Sequence, residues 1–290
     1  MKKFVYENIE TLEAEIEVAH FGNEPFAACT PKWKLADASG IVVQEGQLKA
    51  TEIPLGNSIR LGNVSVPLEF ADTAQKLILV VTVENFTNQW DIWVYPSKTA
   101  TSGRTEKIRV VQQMDPVTQK YLEEGGTVLL SLKKGTLSAE MGGNIKTGFS
   151  SIFWNTAWTG GQGPHTLGVL VNPSHPALAE FPTEYHSNWQ WWDAMNHGQA
   201  MNMARIDPNI KPVVRVIDDW VTNRPLALVF EVKVGNGKIM VSSIDLITDV
   251  QTRPEAQQLL FSLKKYMMSE KFNPSVRISA EKLFSLTNQN

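Results

Sequence analysis

Two stretches bring aromatic rings together with hydrogen-bonding side chains. Phe153-Trp154-Asn155-Thr156-Ala157-Trp158 runs through a glycine-rich segment to Pro164-His165. Tyr185-His186-Ser187-Asn188-Trp189-Gln190-Trp191-Trp192-Asp193 is the second. These residue types suit a sugar: an aromatic face stacks on ring C–H groups, and Asn, Gln, His and Asp bond the hydroxyls. An apolar concavity with a few convergent polar groups is the usual small-ligand geometry. The residues expected to contact such a substrate are Trp154, Trp158, His165, His186, Asn188, Trp189, Gln190, Trp191 and Asp193. The competing reading is packing, because tryptophan fills cores and interfaces while its N–H finds a partner. If residues 189–192 form a strand, Trp189 and Trp191 share one face and Trp192 takes the other.

Other chemistries fit less well. Glu184, Asp193, Asp218, Asp219 and Asp245 are carboxylates that a glycosidase pair could use. Asp218 and Asp219 are adjacent, so in a continuing strand they point apart, and turn-forming or capping roles compete. His165, His175 and His186 could converge through loops, but no histidine pair has the i,i+4 metal spacing, so no metal site is assigned. The single cysteine, Cys29, lies in the all-β half and excludes a disulfide framework. Ser131 ends a strand without the flanking glycines of a nucleophile elbow. Neither glycine cluster, 160–163 or 235–237, has the strand–loop–helix order of a phosphate cradle, so no cofactor is expected.

The bulk properties narrow the class. The chain has 290 residues, 42% hydrophobic and 20% charged, enough to bury a sizeable core. Lys plus Arg total 27 against 30 for Asp plus Glu, and the net charge of −3 gives no basic field for nucleic acid. No run approaches the ~18 apolar residues of a membrane span, and the basic start has no apolar segment behind it, so no membrane partner is expected. The chain reads as soluble, and as periplasmic or secreted if it is part of a longer signal-bearing protein. Nine tryptophans exceed the roughly four that ordinary usage gives.

The elements that must hold these residues divide into two parts. Residues 1–96 read as all-β: residues 12–18 alternate apolar and acidic side chains, and further strands are expected at 33–37, 41–46, 61–68, 76–83 and 88–96. Short strands at this spacing predict an immunoglobulin-like sandwich with Trp33 in its core. Residues 97–106 are polar and read as a linker. Residues 107–290 mix strands and helices. Strands are expected at 107–111, 127–132, 166–171, 212–217, 227–234 and 237–244, the last two joined by a Gly-Asn-Gly hairpin. Asp115-Pro116 predicts a helix start, Gly125-Gly126 its end, and residues 254–269 a closing helix. The pattern predicts a three-layer α/β domain with an antiparallel extension.

Two segments carry a family resemblance. Glu17-Val18-Ala19-His20-Phe21-Gly22, with Asn88-Gln89-Trp90-Asp91-Ile92-Trp93-Val94-Tyr95-Pro96, resembles the β-sandwich that follows the catalytic barrel in β-galactosidase-like family 2 glycoside hydrolases. The run from His175 to Trp192 resembles their C-terminal module, a glutamine-amidotransferase-like, flavodoxin-like α/β domain that lacks its nucleophilic Cys. The resemblance implies carbohydrate-related work. It places the catalytic glutamates on a barrel of about 250 residues, which does not fit here. The expectation is therefore a non-catalytic accessory region that contacts carbohydrate or braces a glycoside hydrolase barrel. The alternatives are a small glycoside hydrolase using carboxylates of the α/β domain, and a purely structural interaction module.

Overall fold

Alternation of apolar and polar residues shapes the first ~100 residues into strands. They are Val5–Glu7 (β1), Thr11–His20 (β2), Phe26–Cys29 (β3), Lys32–Asp37 (β4), Val42–Gln47 (β5), Thr51–Ile53 (β6), Gly56–Pro67 (β7), Gln75–Val83 (β8) and Phe86–Tyr95 (β9). In this computed structural model residues 1–97, 107–149 and 161–287 are described. β1, β9, β8, β4 and β5 form one sheet in that order; β2 pairs with β7, and β3 with β6. Leu12, Ala14 and Ile16 of β2 turn inward while Glu13, Glu15 and Glu17 stay exposed. They meet Leu35 of β4, Leu77 and Leu79 of β8 and Ile92 of β9 in one core, so the sheets pack face to face as a sandwich. Trp33 packs at the edge of that core. The short strands β1, β3 and β6 escape the sequence pattern, because three or four residues are too few to show alternation.

The strands and helices of the second part are Ile108–Val111 (β10), Pro116–Glu123 (α1), Thr127–Ser131 (β11), Thr166–Val171 (β12), Trp192–Asn196 (α2), Met201–Asn202 (β13), Met203–Ile206 (α3), Val214–Asp218 (β14), Leu226–Val234 (β15), Gly237–Ser242 (β16), Pro254–Met267 (α4) and Ala280–Phe284 (α5). Chain contacts separate the molecule into two units, Met1–Lys98 and Thr99–Asn290. All but Ser97 of the expected linker lies outside the described residues.

The second unit is built on one mixed sheet, ordered β10-β11-β16-β15-β14-β12, with β13 beside the start of β15. β10, β11 and β16 are parallel, and β16, β15, β14 and β12 are successively antiparallel. Local signals set the parallel end. Asp115 caps α1 by accepting the Thr118 N–H at 2.6 Å, and Pro116 supplies the preset first turn. Gly125 ends the helix at φ +95°, where its N–H reaches the Leu122 carbonyl and the Gly126 N–H reaches that of Tyr121.

Register then decides which side each residue faces. Val128, Ile239 and Val232 lie side by side on β11, β16 and β15, as do Leu130, Val241 and Phe230. This row shares a core with Leu122 of α1, Met203 and Ile206 of α3, and Leu283 of α5. Leu129, Met240 and Glu231 take the other face. Glu231 there meets Tyr266 of α4.

The described residues are 40% strand against 17% helix. With β10, β11 and β16 parallel and β16 to β12 antiparallel, the sheet of the second unit is not the all-parallel, helix-covered sheet of a flavodoxin-like domain. Three strands are parallel and the other half of the sheet pairs antiparallel. An amidotransferase-like assignment does not follow from this topology.

Candidate functional site

Tyr185 to Asp193 leaves the sheet at its β12 edge. Val171 N–H donates to the Tyr185 carbonyl at 2.9 Å, and Leu170 bridges His186. Gly168 of β12 sits so close that a Cβ there would lie 2.3 Å from Ser187 Oγ, and its φ of +124° also favours glycine. Asn188 then starts a helical turn: its Oδ1 accepts the Gln190 N–H at 3.2 Å and its carbonyl accepts the Trp191 N–H at 3.0 Å. Trp189–Trp191 is a 3-10 turn that runs into α2.

The segment is a helical turn and not a strand, which changes how the tryptophans are distributed. Residues three apart now share a side. Trp189 and Trp192 are each about half exposed, with ring centroids 5.9 Å apart. Phe149 adds a third ring 5.7 Å from Trp192. Tyr185, 62% exposed, meets the His186 ring edge-on at 4.9 Å. The result is a tilted aromatic ledge. Its members Phe149 and Trp192 were not among the expected contact residues. The Asn188 cap followed by tryptophans three apart was the signal that would have found Trp192.

Several expected contact residues make contacts within the fold. Trp191 is fully buried, donates its indole N–H to Thr183 Oγ1 at 2.9 Å, and meets Phe181 edge-on at 5.1 Å. Gln190 is also fully buried and donates to the Pro182 carbonyl at 2.9 Å. Asn188 caps the turn and donates its amide to Glu184 Oε2. His165 accepts the Lys146 N–H on Nδ1 at 3.1 Å and donates from Nε2 to the Gly161 carbonyl at 3.0 Å, bracing the loop before Phe149. His186 is exposed beside Tyr185. Trp154 and Trp158 lie outside the described residues.

Asp193 anchors α2. Its oxygens accept from Arg253 Nε and Nη2 at 2.8 and 2.7 Å, with both side chains nearly buried. His197 Nδ1 lies 3.0 Å from Asp193 Oδ1. Arg253 also donates from Nη1 to the carbonyls of Asp245 and Thr248. Asp245 Oδ1 accepts the Ile247 and Thr248 N–H groups and, at 3.3 Å, Gln112 Nε2. Burial would raise this carboxyl, but the hydrogen bonds from Thr248, Ile247 and the Lys134 backbone outweigh it and hold it below the ordinary range. The network lies past the ends of the parallel strands, where open α/β sheets usually bind ligands.

The remaining chemistry-bearing groups are also engaged. Asp218 holds Arg224 through three hydrogen bonds of 2.7 to 3.0 Å, and Asp219 Oδ1 accepts the Val221 and Thr222 N–H groups. Both carboxylates shape a loop that displays Trp220. Ser131 Oγ is buried between the Ile244 carbonyl and the Leu246 N–H. His175 caps its own 3-10 turn by accepting the Ala177 N–H and packs on Tyr266. Cys29 is buried in the sandwich, where burial raises its thiol. Among the described residues no group of three or more His, Cys, Asp or Glu could hold a metal ion.

Beside the ledge is a cavity of about 270 Å³. It lies between α2, which contributes Met195 and Asn196, and the loops carrying Lys134, Lys146, Thr147 and Gln199.

A family described as a domain of unknown function, DUF8487, matches residues 109–288. The chain belongs to this family. A second domain of unknown function, DUF8488, matches residues 10–96. No curated protein matches the chain. Solved structures resemble parts of it weakly. A β-glucuronidase from glycoside hydrolase family 2 is 14% identical over 41% of this chain and 16% of its own, with a TM-score of 0.25. The periplasmic chaperone SfaE is 5% identical over 37% of this chain and 61% of its own, at 0.23. A family 123 glycoside hydrolase from Clostridium perfringens is 10% identical over 51% of this chain and 38% of its own, at 0.24. The match thus spans about a sixth of the glucuronidase. Among the described residues no helix is long and apolar enough to cross a membrane.

Proposed function

We propose that this protein binds carbohydrate without transforming it, as an accessory region of a family 2 glycoside hydrolase-like system. The observation that carries the reading is the ledge of Trp189, Trp192 and Phe149, on the segment that also exposes Tyr185 and His186. Three tilted, partly exposed rings offer stacking faces for the C–H side of a sugar. Tyr185 and His186, both exposed on the same segment, supply hydrogen-bonding groups.

The carboxylates support contact rather than turnover. Asp193, Asp218, Asp219 and Asp245 are engaged by Arg253, Arg224 and backbone N–H groups. A general acid needs an available proton and a raised pKa. The resemblance of residues 175–192 to the C-terminal module of β-galactosidase-like enzymes favours carbohydrate over other stacking ligands. On the same reading the sandwich is immunoglobulin-like, the second unit is a divergent amidotransferase-like domain, and both brace or complete a glycan site on a catalytic barrel.

The test is a tryptophan-fluorescence titration of the full chain with a panel of mono- and oligosaccharides. Trp189→Ala and Trp192→Ala are each expected to weaken saturable binding about tenfold while the fold is kept, a loss of ~1.4 kcal/mol. Product release from any bound sugar would replace this reading with catalysis. A flat response over the panel would leave a structural module.

A further inference from the structure

The cavity beside the ledge differs in charge from the rest of the protein. The chain carries a net charge of −3, yet the cavity lining includes Lys134 and Lys146 and no carboxylate. Among the described residues neither ammonium is paired with an acid. Other polar groups there are already used. Gln199 accepts the Gly135 and Leu137 N–H groups and donates to the Gly143 carbonyl. Asn196 donates to the Trp192 carbonyl, and Thr147 Oγ1 donates to the Met195 carbonyl at 2.6 Å. Lys134 spends one of its three N–H groups on the Asn196 carbonyl, so its charge is held in place with donors to spare. A cleft lined by one sign of charge concentrates counter-ions.

Cavity and ledge also share their framework. α2 carries Trp192 on the ledge and Met195 and Asn196 in the cavity wall, a separation of about 6 Å along the helix. The loop through Ile145, Lys146 and Thr147 lines the cavity and continues to Phe149 of the ledge. His165 pins that loop by bonding the Lys146 N–H.

We propose that the cavity of Lys134 and Lys146 binds an acidic substituent, a carboxylate or a sulfate, of the glycan that rests on the ledge. The proposal builds on the carbohydrate reading above and names the class of sugar. The two ammonium groups donate charge-assisted hydrogen bonds to the substituent, and Thr147 Oγ1 keeps a lone pair for a neighbouring hydroxyl.

The test uses the full chain and a glycan panel in which each backbone appears in three forms: neutral, uronic acid and O-sulfated. Dissociation constants are measured for the parent protein, Lys134→Gln/Lys146→Gln, Lys134→Arg/Lys146→Arg and Trp192→Ala. At least one acidic form is expected to bind about tenfold tighter than its neutral parent. The glutamine pair is expected to erase that preference while neutral binding stays, and the arginine pair to keep it. Comparison of the uronic and sulfated arms identifies the substituent. Equal binding of neutral and acidic forms, or a preference that survives the glutamine pair, overturns the acidic site and leaves the ledge standing. Loss of neutral binding in Trp192→Ala alone identifies the ledge independently. Absence of binding across all three forms overturns both.

Discussion

Replacing Trp191 and Trp192 in turn separates the core from the ledge, although the two residues are adjacent. Trp191 is fully buried, whereas Trp192 is half exposed. A buried indole removes ~200 Å² from water, worth ~5 kcal/mol at about 25 cal/mol per Å². Truncation also removes the N–H that the Thr183 hydroxyl accepts, leaving that hydroxyl its bond to the Glu184 carbonyl. Measured Trp→Ala costs in cores run about 3–5 kcal/mol. For a unit of this size each kcal/mol moves the midpoint by about 2–4 °C, so Trp191→Ala is expected to lower the second unit's Tm by about 10 °C. Trp192 keeps half its surface in contact, which caps its cost at about half that of Trp191. The assay is thermal unfolding by circular dichroism, with sugar titration on whichever variants stay folded. A Trp191→Ala protein that melts within about 3 °C of the parent would refute the burial argument. So would a Trp192→Ala protein that melts below it.

Two further stability predictions follow from buried charge. Arg253→Ala leaves the Asp193 carboxylate nearly buried with its bidentate partner gone, and is expected to cost about 3–5 kcal/mol in urea unfolding; a loss under 1 kcal/mol would contradict the anchoring role. Glu231 is raised by burial, with Tyr266 and Lys238 acting against that shift. Its unfolded pKa is about 4.3, so above that value the unfolded chain releases this proton first and stability falls as pH rises toward the folded pKa. Glu231→Gln removes that decline: its stability relative to the parent should be highest near pH 7 and shrink toward pH 4. A parent and variant whose urea midpoints differ by the same amount at both pH values would sink this account.

Local chemistry made much of the second unit readable. Asp115-Pro116 and Gly125-Gly126 bracket α1 because a cap, a preset φ and a left-handed glycine act within one turn. Gly235-Asn236 closes the β15–β16 hairpin for the same kind of reason, with Gly235 at φ +55°. The continuous apolar run at β11 marks a strand buried on both sides. The segment 189–192 was harder, since four residues of alternating polarity fit a strand or a turn equally well. The Asn188 side chain decides it, and its effect is to exchange which tryptophans are inside. Long-range pairs were out of reach altogether. Asp193 and Arg253 are 60 residues apart, and nothing in the spacing of either marks the other. Residue type alone marks Asp193 and Gln190 in the sequence, and neither the Arg253 partner of the one nor the Pro182 carbonyl of the other can be read from it.

The division of labour along 188–193 has a consequence for binding. A stacking surface gains affinity when its rings need little ordering at the moment of contact, because immobilising a side chain costs roughly 0.5–1.5 kcal/mol. Here each exposed ring is flanked in sequence by a locked residue. Trp189 follows the Asn188 cap and precedes the buried Gln190, and Trp192 lies between the buried Trp191 and the Arg253-bound Asp193. The backbone that carries the ledge is thus held on both sides of each exposed ring. On this argument Asn188, Gln190, Trp191 and Asp193 serve the site through the contacts that they make within the fold. They hold the rings where a sugar would meet them, so Arg253→Ala should weaken sugar binding as well as stability, whereas Arg224→Ala, on the loop of Asp218, should leave binding to the Trp189–Trp192 pair unchanged.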